Sequence, residues 1–479
     1  MTISYSLSEL SSKDWKPHDY QKKAIKFLLE HAAAGLFLDP GLGKTSIVLG
    51  AVKILKSQKL LFKTLVIAPL RVCYGVWPAE AQKWNDFHDL KMVVLHGKDK
   101  ELALKQEADI YVINPEGLDW LLSNNRLKSL KIDTLVIDES SKFKHTQTKR
   151  FKQLKPLLGK FARRWILTGT PAPNGLMDLF GQIYILDLGR AFTPYITKFR
   201  LEFFDSVGFG GYTYIPKKGS EERIHELIRP LTLRLEAADY LELPELINNY
   251  IYVELPPPVR KIYDQMQEIF MAGVGEDKLL VASTAAVAGM KCRQIANGGV
   301  FLGLDYTPAV ASDQWQQLHM EKNNALGDLM EELGGQQLLI VYEFQHDLER
   351  IRQLFKGRTD VAFAADYSAK KFTEIEQAWN KRELTYLVVQ PQSVGHGLNL
   401  QYSFAQHICF YSQIWDLEVY EQVIQRILRQ GNEAPHVTVH HIVARKTTDE
   451  AVVRGLHMKA GVQNRLLLAL KDYASEVLG

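Results

Sequence analysis

The string Gly41-Leu42-Gly43-Lys44-Thr45 lies between an apolar run, GLFLD at 35–39, and a helix-prone run, SIVLGAVKIL at 46–55. Glycines at such a strand-to-helix junction let backbone N–H groups curl around nucleotide phosphates, a lysine adds a point charge, and a hydroxyl can hold Mg²⁺. The pattern assigns these five residues to a phosphate loop, with Thr45 as a metal ligand. Leu38 stands where the general P-loop pattern has its first glycine. The alternative is a chance glycine turn before a helix, which a chain of this length would show on the order of one time in fifty.

Asp138-Glu139 ends a second apolar run, TLVI at 134–137. Both carboxylates would emerge at the carboxyl edge of a parallel sheet, where doubly wound folds bind their ligands. Asp138 can hold Mg²⁺ there, and Glu139 can orient and deprotonate an attacking water. Acidic pairs at strand ends are also common as solvated turns; the P-loop upstream favours chemistry. Farther on, Gln422, Gln425, Arg426 and Arg429 fall at spacings of three, four and seven, which predicts one face of a helix. A guanidinium on that face could stabilise charge on a transferred phosphoryl group. The spacing alone equally describes an amphipathic helix with a solvated basic face.

Two sets of elements must position these groups. Up to about residue 180, the runs at 35–39, 64–69, 91–97, 109–114, 134–138 and 164–169 alternate with helical stretches. Short Val, Ile and Leu runs separated by helices predict a parallel sheet covered on both faces. Residues 181–250 are aromatic-rich and helix-prone, with a turn at 208–220, and read as an insertion outside the sheet. Its Phe203, Phe204, Phe209, Tyr212 and Tyr214 could stack on bases or form a satellite core. Pro256, Pro257 and Pro258 predict an extended, stiff approach to a second lobe. There, runs at 337–342, 360–364, 385–390, 407–411 and 437–443 repeat the buried-strand rhythm. The expected fold class is α/β: two tandem doubly wound parallel-sheet lobes, 1–180 and 251–479, with the insertion 181–250 attached to the first.

The composition permits this size of core. The chain has 479 residues, 46% apolar and 24% charged, with a net charge of +3, so two large lobes fit better than one core. That small net charge means any nucleic-acid footprint must come from local placement of Lys and Arg. Cys73, Cys292 and Cys409 form no zinc or disulfide spacing, which points to a reducing cytoplasm. The opening MTISYSLSEL lacks a signal-peptide pattern, and no run approaches the roughly 18 apolar residues that span a bilayer.

The order of these motifs resembles superfamily-two helicases, and over nearly the full length the chain resembles their Swi/Snf-type DNA-dependent ATPases. Pro17-His18-Asp19-Tyr20-Gln21 is similar to the family's adenine-sensing segment, which makes Gln21 the reader of the base. Val66-Ile67-Ala68-Pro69-Leu70 with Arg71 resembles motif Ia, and Ile113-Asn114-Pro115-Glu116 motif Ib. Asp138-Glu139-Ser140-Ser141 resembles the DEAH box, and Leu167-Thr168-Gly169-Thr170-Pro171-Ala172-Pro173-Asn174 matches motif III. Arg229-Pro230-Leu231-Thr232-Leu233-Arg234 and Leu243-Pro244-Glu245 are similar to the segments that lead from lobe to lobe. Lys291-Cys292-Arg293-Gln294-Ile295 resembles the opening of the second lobe, Gly395-His396-Gly397-Leu398-Asn399-Leu400 motif V, and Gln422 to Gly431 motif VI.

The resemblance implies two RecA-like lobes that bind ATP and Mg²⁺, with Lys44, Asp138, Glu139, Arg426 and Arg429 in hydrolysis and Gln422 at the nucleotide. It implies nucleic acid as the partner, duplex DNA ahead of single strands or RNA, held through Arg71, Asn114, Thr168, Gly395 and Asn399. With no reader module evident, target selection would fall to a protein partner; no membrane is implied. The alternatives are a strand-separating helicase and, more remotely, a non-hydrolysing scaffold. Three positions depart from the family: Ser141 replaces the DEAH histidine, Gln425 the motif VI glycine, and His396 the motif V glycine. The first puts in doubt the polar link from motif II to motif III.

Overall fold

The computed structural model describes residues 14–207, 213–241, 243–274, 279–302, 314–367, 372–391 and 398–461. They divide into two compact units: one runs to Asp205 and resumes at Tyr214–Leu241, and the other takes Glu242–Ala460.

In the first unit, β1 (Ala33–Leu38), β2 (Thr64–Ile67), β3 (Met92–Val94), β4 (Ile110–Ile113), β5 (Thr134–Asp138) and β6 (Arg163–Thr168) coincide with the six apolar runs. After two short strands, β7 (Phe204–Val207) and β8 (Thr213–Pro216), β9 (Thr232–Leu235) returns to the main sheet. The order is β3-β4-β2-β5-β6-β1-β9, with every pairing parallel. β2, β4 and β5 are buried at every residue, as a sheet covered on both faces requires.

The segment 181–250 therefore does not lie wholly outside the sheet. Thr232–Leu235 is the seventh strand, seated beside β1, where Gly35 leaves only 3.0 Å between an added Cβ and the Thr232 methyl. Phe203 and Phe204 are buried against Phe199 and belong to the same core as the sheet residues Ile137 and Ile166, so they form no separate satellite core and offer no stacking face. Tyr214 is half-buried, its ring 4.7 Å from the Arg200 guanidinium; Phe209 and Tyr212 lie outside the described residues.

The second unit opens with β10 (Glu245–Val253), and of the three prolines that follow, Pro257 and Pro258 are helical and not extended. The helix Pro257–Val274 begins among them, because first-turn N–H groups have no intrahelical acceptor and proline gives up nothing there. β11 (Gly299–Phe301) and β12 (Trp315–Gln317) form an antiparallel ribbon. The main sheet combines β13 (Leu338–Val341), β14 (Val361–Phe363), β15 (Tyr386–Val389), β16 (His407–Phe410) and β17 (His436–Ala444) in the order β10-β17-β16-β13-β15-β14. All its pairings are parallel. The period of two sends Leu338 and Ile340 into one core and Leu339 and Val341 into the other. Each unit is thus a doubly wound, RecA-like α/β lobe.

Cys73, Cys292 and Cys409 are buried free thiols. Among the described residues no helix is long and apolar enough to cross a membrane.

Candidate active site

The phosphate loop leaves β1 and turns on two left-handed glycines, Gly41 (φ 91°) and Gly43 (φ 76°). Gly43 is the N-cap of the helix Lys44–Ser57, so that helix's unpaired N–H groups face the loop. Leu38 does not disturb this turn: its side chain is buried in the sheet, and its carbonyl accepts from Lys44 Nζ at 2.8 Å. Thr45 follows, half-buried. Gln21 Nε2 donates to the Leu42 carbonyl at 3.2 Å, while its Oε1 accepts from His18 N at 3.0 Å. A Cβ on Gly43 would stand 2.5 Å from the same amide, so the base-reading candidate and the loop are packed as one piece.

The entrance to the loop is braced from β9. Arg234 pairs with Asp39 at 2.6 Å and donates to the Phe37 carbonyl at 3.1 Å, and Asp39 also accepts from Ala237 N at 3.0 Å. An arginine is tolerated inside this strand because its charge is matched where it is buried.

The strand order β5-β6-β1 delivers Asp138 and Lys44 to the same sheet edge with one strand between them. Asp138 is buried: Oδ2 accepts from Trp77 Nε1 at 3.0 Å and Oδ1 from Glu139 N at 3.1 Å. Burial, helped by the Glu139 charge, pushes this carboxyl up to about 6, against the pull of Lys44. Glu139 adopts φ 54°, ψ 59°, a left-handed conformation that costs a non-glycine residue about 1–2 kcal/mol. Strain at a carboxylate beside a phosphate loop marks a residue whose direction matters.

Trp77 was not singled out from sequence. It shares a face of the helix Trp77–Lys83 with Glu80, which accepts from Ser46 Oγ at 2.6 Å and Trp84 Nε1 at 2.7 Å. The readable signal is the Trp77-x-x-Glu80 spacing just after β2.

Motif III leaves β6 and packs on the loop: a Cβ on Gly169 would lie 3.1 Å from Pro40 and 3.4 Å from the Leu38 carbonyl. Thr168 is wholly buried, its Oγ1 accepting from Thr170 N at 3.0 Å. The hydroxyl, expected on nucleic acid, here shapes the turn from inside. Asn114 is also buried and donates to Glu116 at 2.8 Å. Arg71 is half-buried, and burial lowers its pKa.

In the second unit the helix expected to carry the basic face stops early. It spans Leu417–Ile424, with Asp416 capping the N–H groups of Glu418 and Val419, and Gln425 is its C-cap. Backbone bonds from Arg426 to Val423 and from Ile427 to Ile424 tighten the chain into turns, and Asn432 Nδ2 takes the Ile427 carbonyl at 3.1 Å. Arg426 and Arg429 thus leave from turns, not from one helix face. Gln422 donates to Glu418 at 3.3 Å, Arg426 reaches the Gln422 and Leu398 carbonyls at 3.1 and 3.3 Å, and Arg429 reaches Asn399 Oδ1 at 2.9 Å. Motifs V and VI are bound to one another within this unit; Gly395 and His396 lie outside the described residues.

The SNF2-related domain family matches residues 20–298, and the helicase conserved C-terminal domain matches residues 321–431. The chain belongs to the SNF2-related family. It is 33% identical over 477 residues to protein p41 of Acyrthosiphon pisum secondary endosymbiont phage 1, covering 96% of this chain and 99% of that one. It is 25% identical over 464 residues to the uncharacterized ATP-dependent helicase MG018 of Mycoplasma genitalium, covering 94% of this chain and 42% of the relative. The DNA annealing helicase and endonuclease ZRANB3 of Homo sapiens is 21% identical over 469 residues, with 95% and 40% covered. This SNF2-related chain therefore spans under half the length of the latter two. The Sulfolobus solfataricus SWI2/SNF2 ATPase core in complex with dsDNA aligns over 98% of both chains at 23% identity, with a TM-score of 0.45.

Proposed function

We infer that this chain is an ATP-driven motor that hydrolyses ATP and translocates along nucleic acid, with duplex DNA as its track. The observation that carries the reading is the meeting of Lys44 with Asp138 and Glu139 at one sheet edge, in a chain matched along most of its length by SNF2-related and helicase C-terminal domains. Duplex DNA is preferred because the family match includes the segments before and after β9, and because one relative is named for its action on DNA.

Within this reading the amides of Gly41 to Thr45 cradle the phosphates, Lys44 supplies positive charge, and Gln21 relays contact with the base to the loop. Glu139 orients the attacking water and takes its proton. Arg426 and Arg429 are assigned to charge on the transferred phosphoryl group, with Gln422 at the nucleotide. Mg²⁺ fits the residues present. Asp138 and Glu139 repel one another, which a divalent cation relieves, and Thr45 with Asp138 supplies hard oxygen ligands. Among the described residues no group of three or more His, Cys, Asp or Glu could hold a metal, so such an ion would be shared with phosphate. When bound it would offset negative charge on the phosphates.

Arg71 and Asn399 remain the assigned contacts to the nucleic-acid backbone. Such contacts carry no sequence information, which suits a motor that must step along any sequence and leaves target choice to a protein partner. The test is ATP turnover without polymer and with duplex DNA, single-stranded DNA or RNA, each at stated salt, because phosphate binding is salt-dependent. Strong stimulation by duplex DNA without release of a strand is expected. Stimulation by RNA alone would overturn the choice of track.

A further inference from the structure

The helix Leu179–Asp187 is apolar along most of its length, yet it buries Gln182 completely among Leu179, Phe180, Ile183 and Leu186. An amide in such surroundings is tolerated only when its bonds are made. Here they are: Gln182 Oε1 accepts from Ser140 Oγ at 2.8 Å, and Nε2 donates to the Pro171 carbonyl at 2.6 Å and the Asp178 carbonyl at 2.9 Å. Ser140 is equally buried and immediately follows Glu139. Pro171 belongs to motif III, whose Gly169 packs against Pro40 of the phosphate loop. One side chain thus ties the residue after the strained carboxylate to the segment that touches the loop.

Packing alone does not call for this amide, since an apolar side chain of similar volume would fill the space without needing three partners. The helix is also pressed onto the turn Ser140–Phe143, because a Cβ on the neighbouring Gly181 would collide with the carbonyls of Phe143 and Lys144. Glu139 is accordingly fixed on both sides. Asp138 holds its N–H, with Trp77 on the other Asp138 oxygen, and Ser140 is held by Gln182. Ser141 stands where the DEAH histidine would be, and Gln182 makes a polar connection between motifs II and III.

We propose that Gln182 is a positioning residue for hydrolysis, holding Glu139 in its left-handed conformation and joining it to motif III. The proposal rests on the ATPase reading, in which Glu139 directs water. ATP turnover is measured for the wild-type chain, Gln182→Met, Ser140→Ala and the double variant, alongside amide hydrogen exchange over 138–143 and 168–171. Loss of one directing hydrogen bond should lower kcat about tenfold in each single variant while leaving KM for ATP unchanged. The double variant should fall no further than Gln182→Met, and exchange should quicken in both segments. A merely structural residue would lower the active fraction and leave kcat per folded molecule unchanged, and losses that multiply would show that Gln182 does not act through Ser140. Unchanged kcat in Ser140→Ala, or multiplying losses, overturns the proposal, and Ser140→Ala decides alone if Gln182→Met does not fold. If the wild-type chain itself hydrolyses no ATP, the ATPase reading has failed, and exchange still tests the clamp: unchanged exchange in both segments overturns it.

Discussion

The carboxyl edges of the two sheets are put to opposite uses. At the first, β1 and β5 present a glycine turn, a lysine and two carboxylates, one held well above the ordinary carboxylate range and the other in a strained backbone. At the second, the residues after β13, β16 and β17 are closed upon by the unit's own side chains. Asp347 is bonded to Arg350 at 2.9 Å, Asn297 at 2.9 Å and Ser412 at 2.8 Å, and Lys322 pairs with Asp449 at 2.7 Å. Burial pushes the Asp347 carboxyl up, but the hydrogen bond with His346 and the charge of Arg350 outweigh it and hold it at about 2. Among the described residues the ends of β1 and β5 are left strained and unbalanced while those of β13, β16 and β17 are satisfied internally, so strain and unbalanced charge mark the phosphate-loop edge.

The contrast breaks most readily at Asp347. Asp347→Ala strands Arg350 in the interior, and truncating one partner of a buried pair costs about 3–5 kcal/mol. Urea unfolding followed by a probe in the second unit should show that loss while KM for ATP is retained. A loss under about 1 kcal/mol would mean that these charges do not seal the edge.

Acid should act on the same unit. Burial lowers His319, His407 and His440 to about 4 and His441 to about 3, from an ordinary 6.5. They stay neutral when folded but take up protons when unfolded below 6.5. Their contribution is therefore complete above that pH and drains away as pH falls toward 4. For His441 alone the loss is about 1 kcal/mol at pH 5.5. The second unit's unfolding midpoint should drop between pH 7 and 5.5, and a flat profile would contradict the burial of these rings.

The smallest expected effect sharpens the account of the phosphate-loop edge. Trp77→Phe removes the N–H that directs Asp138 together with part of a wholly buried ring, and the bond itself contributes about 1 kcal/mol. A kcat reduced about fivefold to tenfold with an intact fold is expected. Turnover equal to wild type would show that Asp138 needs no direction from Trp77.

Much of this was legible beforehand because strands buried on both faces are written as unbroken apolar runs. All eleven such runs became strands. β9 escaped because Thr232-Leu233-Arg234-Leu235 carries a charge whose partner, Asp39, is distant in the chain. β10 escaped because it is an edge strand, exposed over most of its length, with no buried run to betray it. Lys44, Asp138 and Glu139 could be read because strand ends locate them. Trp77 and Gln182 could not, since their roles depend on partners brought together by the fold. The helix expected at Gln422–Arg429 was overextended because spacing alone does not record that turn bonds and Asn432 end it after Ile424.

The most direct test of the central claim is ATP turnover by the wild-type chain and Lys44→Ala, each with and without duplex DNA. The account predicts that duplex DNA stimulates the wild-type chain strongly. Lys44→Ala should lose about 10²–10³-fold in turnover, as removal of a group that stabilises transition-state charge does, while still binding DNA. Normal turnover by Lys44→Ala would contradict it.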